Sequence, residues 1–332
     1  MNKRCVGCGA LLQSYDQSKP GYIPESVDSP RYCMRCFRII HYNDRIPMNL
    51  GNIKDVVLDK VNGDSKAFKL FLVDLLNINS EIIDTFMKIN GNKMLLISKF
   101  DIVPKSVKKS KIVEFLYDVY GIKDDIDFVS SKNNFNVRVI YNVLNETGFK
   151  KAYVLGYTNS GKSNLINALC NKMDLPGNIT TSNTPNTTLD FIDIGVEGYE
   201  IFDTPGFVMS DTFYKENDYD LIDRINPKGV ISPVTYQMKE DTRLVIENKI
   251  QISNCGKNSL TFYMSDLIDI KKYFKDVLND KVKELRIPKN SDIVIKGLGF
   301  INVKEECRMK YVGDIDLIEI RKSMFGGYYD ED

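Results

Sequence analysis

Apolar residues in the middle of this chain follow two alternating rhythms. Short unbroken runs have the length of buried strands: Lys69-Leu70-Phe71-Leu72-Val73-Asp74, Met94-Leu95-Leu96-Ile97, Ile126-Asp127-Phe128-Val129 and Tyr153-Val154-Leu155. Between them apolar positions recur at helical spacing. Ile82, Ile83, Phe86 and Met87 follow Ser80 as a cap; Ile112, Phe115, Leu116 and Val119 precede Gly121 as a stop; Val137, Ile140, Val143 and Leu144 mark a third helix. This alternation predicts βαβ units, hence a parallel sheet covered on both faces, with its ligand loops at the carboxyl ends of the strands. Beyond residue 213 the rhythm changes. Asp218 to Ile225 predicts a linking helix ended near Pro227, Thr242 to Ile246 and Asp292 to Ile295 read as strands, and Leu267, Ile270, Phe274 and Val277 fit a helix face. That mixture predicts an α+β domain.

Residues 1 to about 50 follow neither rhythm. Four of the seven cysteines stand there as two CxxC pairs, Cys5/Cys8 and Cys33/Cys36, with 24 residues rich in Pro, Gly, Ser and Tyr between them. So short a segment buries too little apolar surface to order itself. An odd cysteine count argues against a disulfide framework. Four thiolates on one Zn²⁺ would supply the folding energy and leave no open coordination position, which makes the zinc structural. A redox CxxC is the alternative, although neither pair sits in a thioredoxin-like βαβ context. Arg35, Phe37, Arg38, His41, Tyr42 and Asn43 follow; they suit phosphate contact and base stacking, or ordinary packing and surface charge.

Length and charge narrow the classes. The 332 residues predict several domains, placed at 1–50, 51–212 and 213–332. Lys plus Arg and Asp plus Glu both number 45, so no global field draws the chain onto nucleic acid and any basic surface must be local. Lys271, Lys272, Lys275, Lys281, Lys283 and Arg286 form one such region, with acidic residues interspersed. The absence of a signal-like N-terminus or a span-length apolar run predicts a cytoplasmic, soluble monomer with no membrane partner.

The chemistry centres on Gly156-Tyr157-Thr158-Asn159-Ser160-Gly161-Lys162-Ser163, a complete Walker A sequence between a predicted strand and the helix start Asn164-Leu165-Ile166. Backbone N–H groups of such a turn wrap a phosphate, which the helix dipole also attracts. Lys162 would reach the β- and γ-phosphates and Ser163 would hold Mg²⁺. Ser98-Lys99-Phe100-Asp101 follows the second strand run and lies close to the Asn-Lys-x-Asp guanine signature. Asp101 there can accept two hydrogen bonds from guanine, a pair that adenine does not offer. Ser130-Ser131-Lys132 follows the third run and resembles the Ser-Ala-Lys loop that reads the guanine carbonyl. Downstream, Thr180 to Asp190 resembles a first switch, with Thr188 completing the Mg²⁺ shell. Asp203-Thr204-Pro205-Gly206 is a second switch, with Asp203 on Mg²⁺ through water and the Gly206 N–H on the γ-phosphate. The set predicts GTP/GDP with Mg²⁺ as ligand. Its order is unusual, because the base-reading loops precede the phosphate loop.

That order, joined to Cys-x-Gly-Cys-Gly and Cys-x-Arg-Cys-Phe-Arg-x-x-His-Tyr-Asn, resembles the YqeH family of circularly permuted bacterial GTPases of small-ribosomal-subunit assembly. The resemblance covers nearly the whole length, including Gly297-Leu298-Gly299-Phe300 and Arg321-Lys322-Ser323. It implies a zinc finger, a permuted P-loop GTPase domain with a parallel-rich sheet, and a C-terminal domain that contacts rRNA or the ribosome. Phe207 stands where many GTPases carry the glutamine that orients water. In GTPases with a hydrophobic residue there, a P-loop asparagine, matched by Asn159, binds K⁺; slow, potassium-stimulated hydrolysis is the expectation. The family's guanine motif begins with asparagine and this chain has Ser98, whose shorter hydroxyl is expected to reach base and P-loop less well. Two rival functions stand beside this one: an NTPase using ATP, and a zinc-dependent RNA-binding protein for which nucleotide is only a conformational ligand.

Overall fold

Strand β1 (Ala67–Asp74) is buried along its full length and is the strand on which the first sheet is built. In the computed structural model the described residues are 12–15, 22–24, 53–104, 107–172, 192–196, 198–213, 221, 224–227, 229–254, 256–278, 282–312 and 315–325. The chain forms two compact units, residues 1–56 and 57–332. In the first, the described residues hold a bridge between Gln13 and Tyr22, with Ile23 N–H donating to Gln13 O at 2.8 Å. The CxxC cysteines and residues 35–43 lie outside the described residues.

In chain order come helix α1 (Ile53–Asn62), then β1, α2 (Ser80–Met87), β2 (Lys93–Ser98), α3 (Lys109–Tyr120), β3 (Asp125–Phe128), α4 (Val139–Thr147), β4 (Lys151–Gly156), α5 (Lys162–Lys172), β5 (Ile192–Val196) and β6 (Tyr199–Asp203). The strands form one six-stranded sheet in the order β3-β2-β1-β4-β6-β5, parallel except for the edge strand β5. Alternate residues of β1 face opposite ways. Leu70 and Leu72 join Val154, Ile140, Leu144, Leu165 and Leu169 in one cluster. Phe71 points the other way, its ring 5.8 Å from that of Phe86 in α2. Gly121 ends α3 in the left-handed conformation, as its position predicts. The cap of α2 is corrected: Asn79, whose side chain accepts from Ile82 N–H, is the cap, and Ser80 is the first helical residue.

From Val234 onward the chain is built from antiparallel strands: β7 (Val234–Met238), β8 (Arg243–Ile246), β9 (Ile250–Asn254), β10 (Asn258–Met264), β11 (Ile270–Tyr273), β12 (Lys283–Ile287), β13 (Ser291–Ile295), β14 (Gly299–Val303), β15 (Cys307–Tyr311) and β16 (Ile318–Lys322). They form two five-stranded sheets, β16-β13-β14-β10-β7 and β11-β8-β9-β15-β12. Leu244 and Ile252 of one share a core with Phe262, Ile293 and Ile301 of the other. Helical residues of this region occur at Leu221, Arg224 and Ile225, within the expected linking helix. The helix expected over Leu267–Val277 is not formed. Ile270–Tyr273 is an edge strand paired with β8, and Leu267, Phe274 and Val277 are exposed. No helix among the described residues is long and apolar enough to cross a membrane.

Candidate functional site

The turn between β4 and α5 has the geometry its glycines predict. Gly156 has φ 147°, and a Cβ there would lie 2.5 Å from Leu72 O of the neighbouring strand. Asn159 and Gly161 are also at positive φ, 62° and 93°. The buried Lys162 ammonium donates to Gly156 O at 2.9 Å and Tyr157 O at 3.1 Å. Gly206 lies against it: a Cβ on Gly206 would meet Lys162 Nζ and Thr158 Cγ2 at 3.2 Å. Ser163 Oγ donates to Asp203 Oδ2 at 3.3 Å, which brings a hydroxyl and a carboxylate from different elements together. The Ser160 hydroxyl is buried and has no hydrogen-bond partner among the described residues. Hard oxygen donors beside a buried ammonium, with an orphaned hydroxyl in the turn, fit a Mg²⁺-bound polyphosphate.

The segment after Asp203 is fastened to this turn. Thr204 Oγ1 donates to Val154 O at 2.9 Å, Phe207 N–H to Gly156 O at 3.1 Å, and Thr158 N–H to Phe207 O at 2.8 Å. The Phe207 ring is buried against Tyr157, centroids 5.7 Å apart, and Phe71, 6.4 Å. The side chain at this position therefore packs in the core and orients no water.

The base-reading candidates gather at the same edge of the sheet. Ser98 Oγ donates to Ser160 O at 2.6 Å, so the expected shortfall of this hydroxyl toward the P-loop is corrected: it holds the loop directly. Lys99 adopts a left-handed backbone, φ 57°, and its ammonium meets Asp74 Oδ2 at 2.9 Å. Asp101 lies in the 3₁₀ turn 100–102 and is half-buried. Ser130 and Phe135 exchange two backbone hydrogen bonds, 3.0 and 2.9 Å, closing the loop that carries Ser131 and Lys132, and Asn133 N–H caps Ser130 Oγ at 3.2 Å. Asn164 lies in the first turn of α5. Thr188 and the whole of 173–191 lie outside the described residues.

Several participants carry no motif. Asp74 ends β1 and receives Lys99, Leu76 N–H and Asn77. The Tyr157 hydroxyl lies 2.8 Å from Thr85 Oγ1 and donates to Glu81 O at 3.3 Å; burial pushes its pKa up to about 12, so it remains a neutral anchor between P-loop and α2. The Glu81 side chain then takes Ser210 N–H and Oγ, each at 2.8 Å, and Lys296 Nζ at 2.7 Å. Burial alone would raise the Glu81 carboxyl, but hydrogen bonds from Lys296 and Ser210 hold it below the usual carboxylate range. Gly297 N–H donates to Asn77 Oδ1 at 2.8 Å and Phe213 N–H to Lys296 O at 2.9 Å. The tail of the second switch motif is thus pinned between α2 and the β13–β14 turn. Strand-end position alone marked Asp74; Glu81 and Lys296 are 215 residues apart and had no local signal.

Several basic groups of the C-terminal sheets are ion-paired, Lys271 and Arg286 of the expected basic region among them. Lys271 pairs with Asp269, Arg286 with Glu306, and Arg308 with Glu284, while Asp276 takes both Arg243 and Lys310.

Residues 151–254 match the family described as 50S ribosome-binding GTPase. The Bacillus subtilis protein YqeH, described as uncharacterized, is 29% identical over 251 residues, covering 72% of this chain and 69% of that one. The Arabidopsis thaliana NO-associated protein 1, chloroplastic/mitochondrial, is 28% identical over 61% of this chain, which spans under half of it (43%). The solved structure of YjeQ from Thermotoga maritima aligns over 43% of this chain and 48% of its own at 20% identity, with a TM-score of 0.30.

Proposed function

We propose that this chain, a circularly permuted P-loop GTPase of the YqeH type, binds and slowly hydrolyses GTP to control its hold on the small ribosomal subunit and its rRNA. The observation that carries the reading is one sheet edge. It gathers the phosphate turn, the Ser163–Asp203 pair and the loops at 98–101 and 130–132. Lys162, Ser160, Gly161 and the turn N–H groups hold the phosphates; Asp101 and Ser130–Lys132 take the base. Ser163, Asp203 and Thr188 would hold Mg²⁺, which when bound neutralises charge on the β- and γ-phosphates.

Nucleotide state reaches the C-terminal region through contacts already present. Gly206 lies against the Lys162 ammonium, and four residues later Ser210 is held by Glu81 and Lys296. Ordering of the second switch by a γ-phosphate therefore acts on a segment bonded to the β13–β14 turn. Residues 1–50 act as a zinc finger through Cys5, Cys8, Cys33 and Cys36, and 213–332 as the ribosome-contacting arm. Because several described basic groups there, Lys271, Arg286 and Arg308 among them, are ion-paired, contact depends on shape and on individual exposed side chains as well as on charge. Preference for the small subunit rests on the cysteine-motif resemblance, while the matching family description names the 50S particle. Co-sedimentation with separated small and large subunits tests it. The expected result is retention on small subunits with a non-hydrolysable GTP analogue and release with GDP; equal binding to both particles in both nucleotide states would overturn it.

With Phe207 buried, no side chain at that position polarises the attacking water. Asn159, at positive φ, recruits K⁺ to stabilise phosphate charge in its place. Hydrolysis is expected to be faster in potassium than in sodium. Equal rates in the two salts, with and without subunits, would remove this role from Asn159. The buried Phe207 also favours a second reading, in which nucleotide is a conformational ligand of an RNA-binding protein. Single-turnover rates that stay at the uncatalysed level on subunits would select it.

A further inference from the structure

Lys109 is the first residue of α3, a helix end where the dipole disfavours a cation and where no acidic residue stands in the first turn. Its ammonium has three phenyl rings around it: Phe135 at 4.2 Å from centroid, Phe128 at 5.2 Å and Phe100 at 5.4 Å. Phe100 and Phe128 also meet each other edge to face at 4.9 Å. The rings come from different places. Phe100 lies inside Ser98-Lys99-Phe100-Asp101, Phe128 ends β3, and Phe135 closes the 130–135 loop through its paired hydrogen bonds with Ser130. A cation at the negative faces of three rings draws them together, more strongly the less water reaches it. Phe135 is 42% exposed, so one side of this cage faces solvent.

We propose that Lys109 is a positioning residue for base recognition. Its caged ammonium clamps the 98–101 loop to the 130–135 loop, so that the Asp101 carboxylate and the Ser131–Lys132 backbone meet one base at a fixed separation. The proposal rests on the guanine reading of those two loops. It assigns Lys109 no contact with nucleotide and no part in phosphate chemistry.

The test compares Lys109→Met, which keeps the aliphatic stem and removes the charge, with Lys109→Arg, which keeps a cation for the rings. Binding of GDP, xanthosine diphosphate and inorganic tripolyphosphate is measured for each. Lys109→Met is expected to weaken GDP roughly tenfold, chiefly through faster dissociation. Tripolyphosphate binding stays unchanged, and melting temperature moves little because the helix dipole gains from the lost charge. Lys109→Arg recovers GDP binding to within about threefold of the parent. GDP affinity unchanged in Lys109→Met, or GDP and tripolyphosphate lost together, overturns the proposal. Asp101→Asn serves as the control on the underlying reading and should move preference to xanthosine diphosphate. If it does so while Lys109→Met is silent, only the clamp falls; if preference stays with GDP, the guanine reading falls and the clamp with it.

Discussion

Replacing Lys162 with alanine is expected to lower GTP turnover by roughly two to three orders of magnitude, about 3–4 kcal/mol of transition-state stabilisation. The ammonium is buried, held by Gly156 O and Tyr157 O, and lies against Gly206. Its carbonyl partners are those of the turn itself, so it is pre-oriented toward whatever anion the turn encloses, with little reorganisation left for the reaction. Arginine should not rescue it, because a planar guanidinium is larger than the buried ammonium and does not reproduce its point contacts with Gly156 O and Tyr157 O. Phosphate release measures the loss of turnover, and GDP titration shows whether binding falls with it. Turnover near the parent's in the alanine variant would remove the Walker lysine from the chemistry.

Arg321→Ala should be the most destabilising single change at the junction of the two architectures. Arg321 is almost fully buried in β16, with its guanidinium over Phe115 of α3 at 4.9 Å and Phe300 of β14 at 5.2 Å. It donates to the Ile78 carbonyl and lies 3.4 Å from Asp292 Oδ2. Truncation strands the fully buried Asp292, a loss of about 3–5 kcal/mol. For a unit of this size that corresponds to a melting temperature lower by roughly 6–20 °C. Burial pushes the Asp292 carboxyl up, and Arg321, Asn302 and the Met324 N–H work against it. Without Arg321 the folded pKa rises further, so the folded protein holds more protons than the unfolded one. The stability deficit relative to the parent should therefore grow with pH once it passes the parent's own raised Asp292 pKa, and be larger at pH 8 than at pH 5. Thermal melts at the two pH values check this; a shift below about 2 °C at both would contradict it.

The first sheet was legible because each of its signals is local. Buried parallel strands read as unbroken apolar runs, so Leu70 to Val73 and Leu95 to Ile97 announce themselves, and Gly156 and Gly161 mark a turn that only such backbone can make. The C-terminal sheets were less legible for the opposite reason. Strands of four to seven residues pair across long gaps, as β9 does with β15, and no local period records the partner. Leu267, Ile270, Phe274 and Val277 show the hazard: their spacing suits a helix, yet an edge strand joins β8 there and leaves three of the four exposed. In the site, motif residues were readable and their supports were not. Ser98 looked like a weakened asparagine until its hydroxyl was seen on Ser160 O. Phe207 could be identified as unable to orient water, but its burial between Tyr157 and Phe71 depends on β1, which lies more than a hundred residues earlier.

The position of β1 bears on how the chain is made. As synthesis proceeds, β1, β2 and β3 emerge first and can pair with one another, while the other edge of β1 waits for β4. From the end of β1 at Asp74 until β4 is made at Lys151–Gly156, a buried and mostly apolar strand presents an open edge, the kind of surface that invites wrong partners. Nucleotide cannot assist during that interval, because the phosphate turn follows β4. The half of the sheet formed by β1, β2 and β3 must therefore persist on its own packing, or remain shielded, until the strand that closes it arrives.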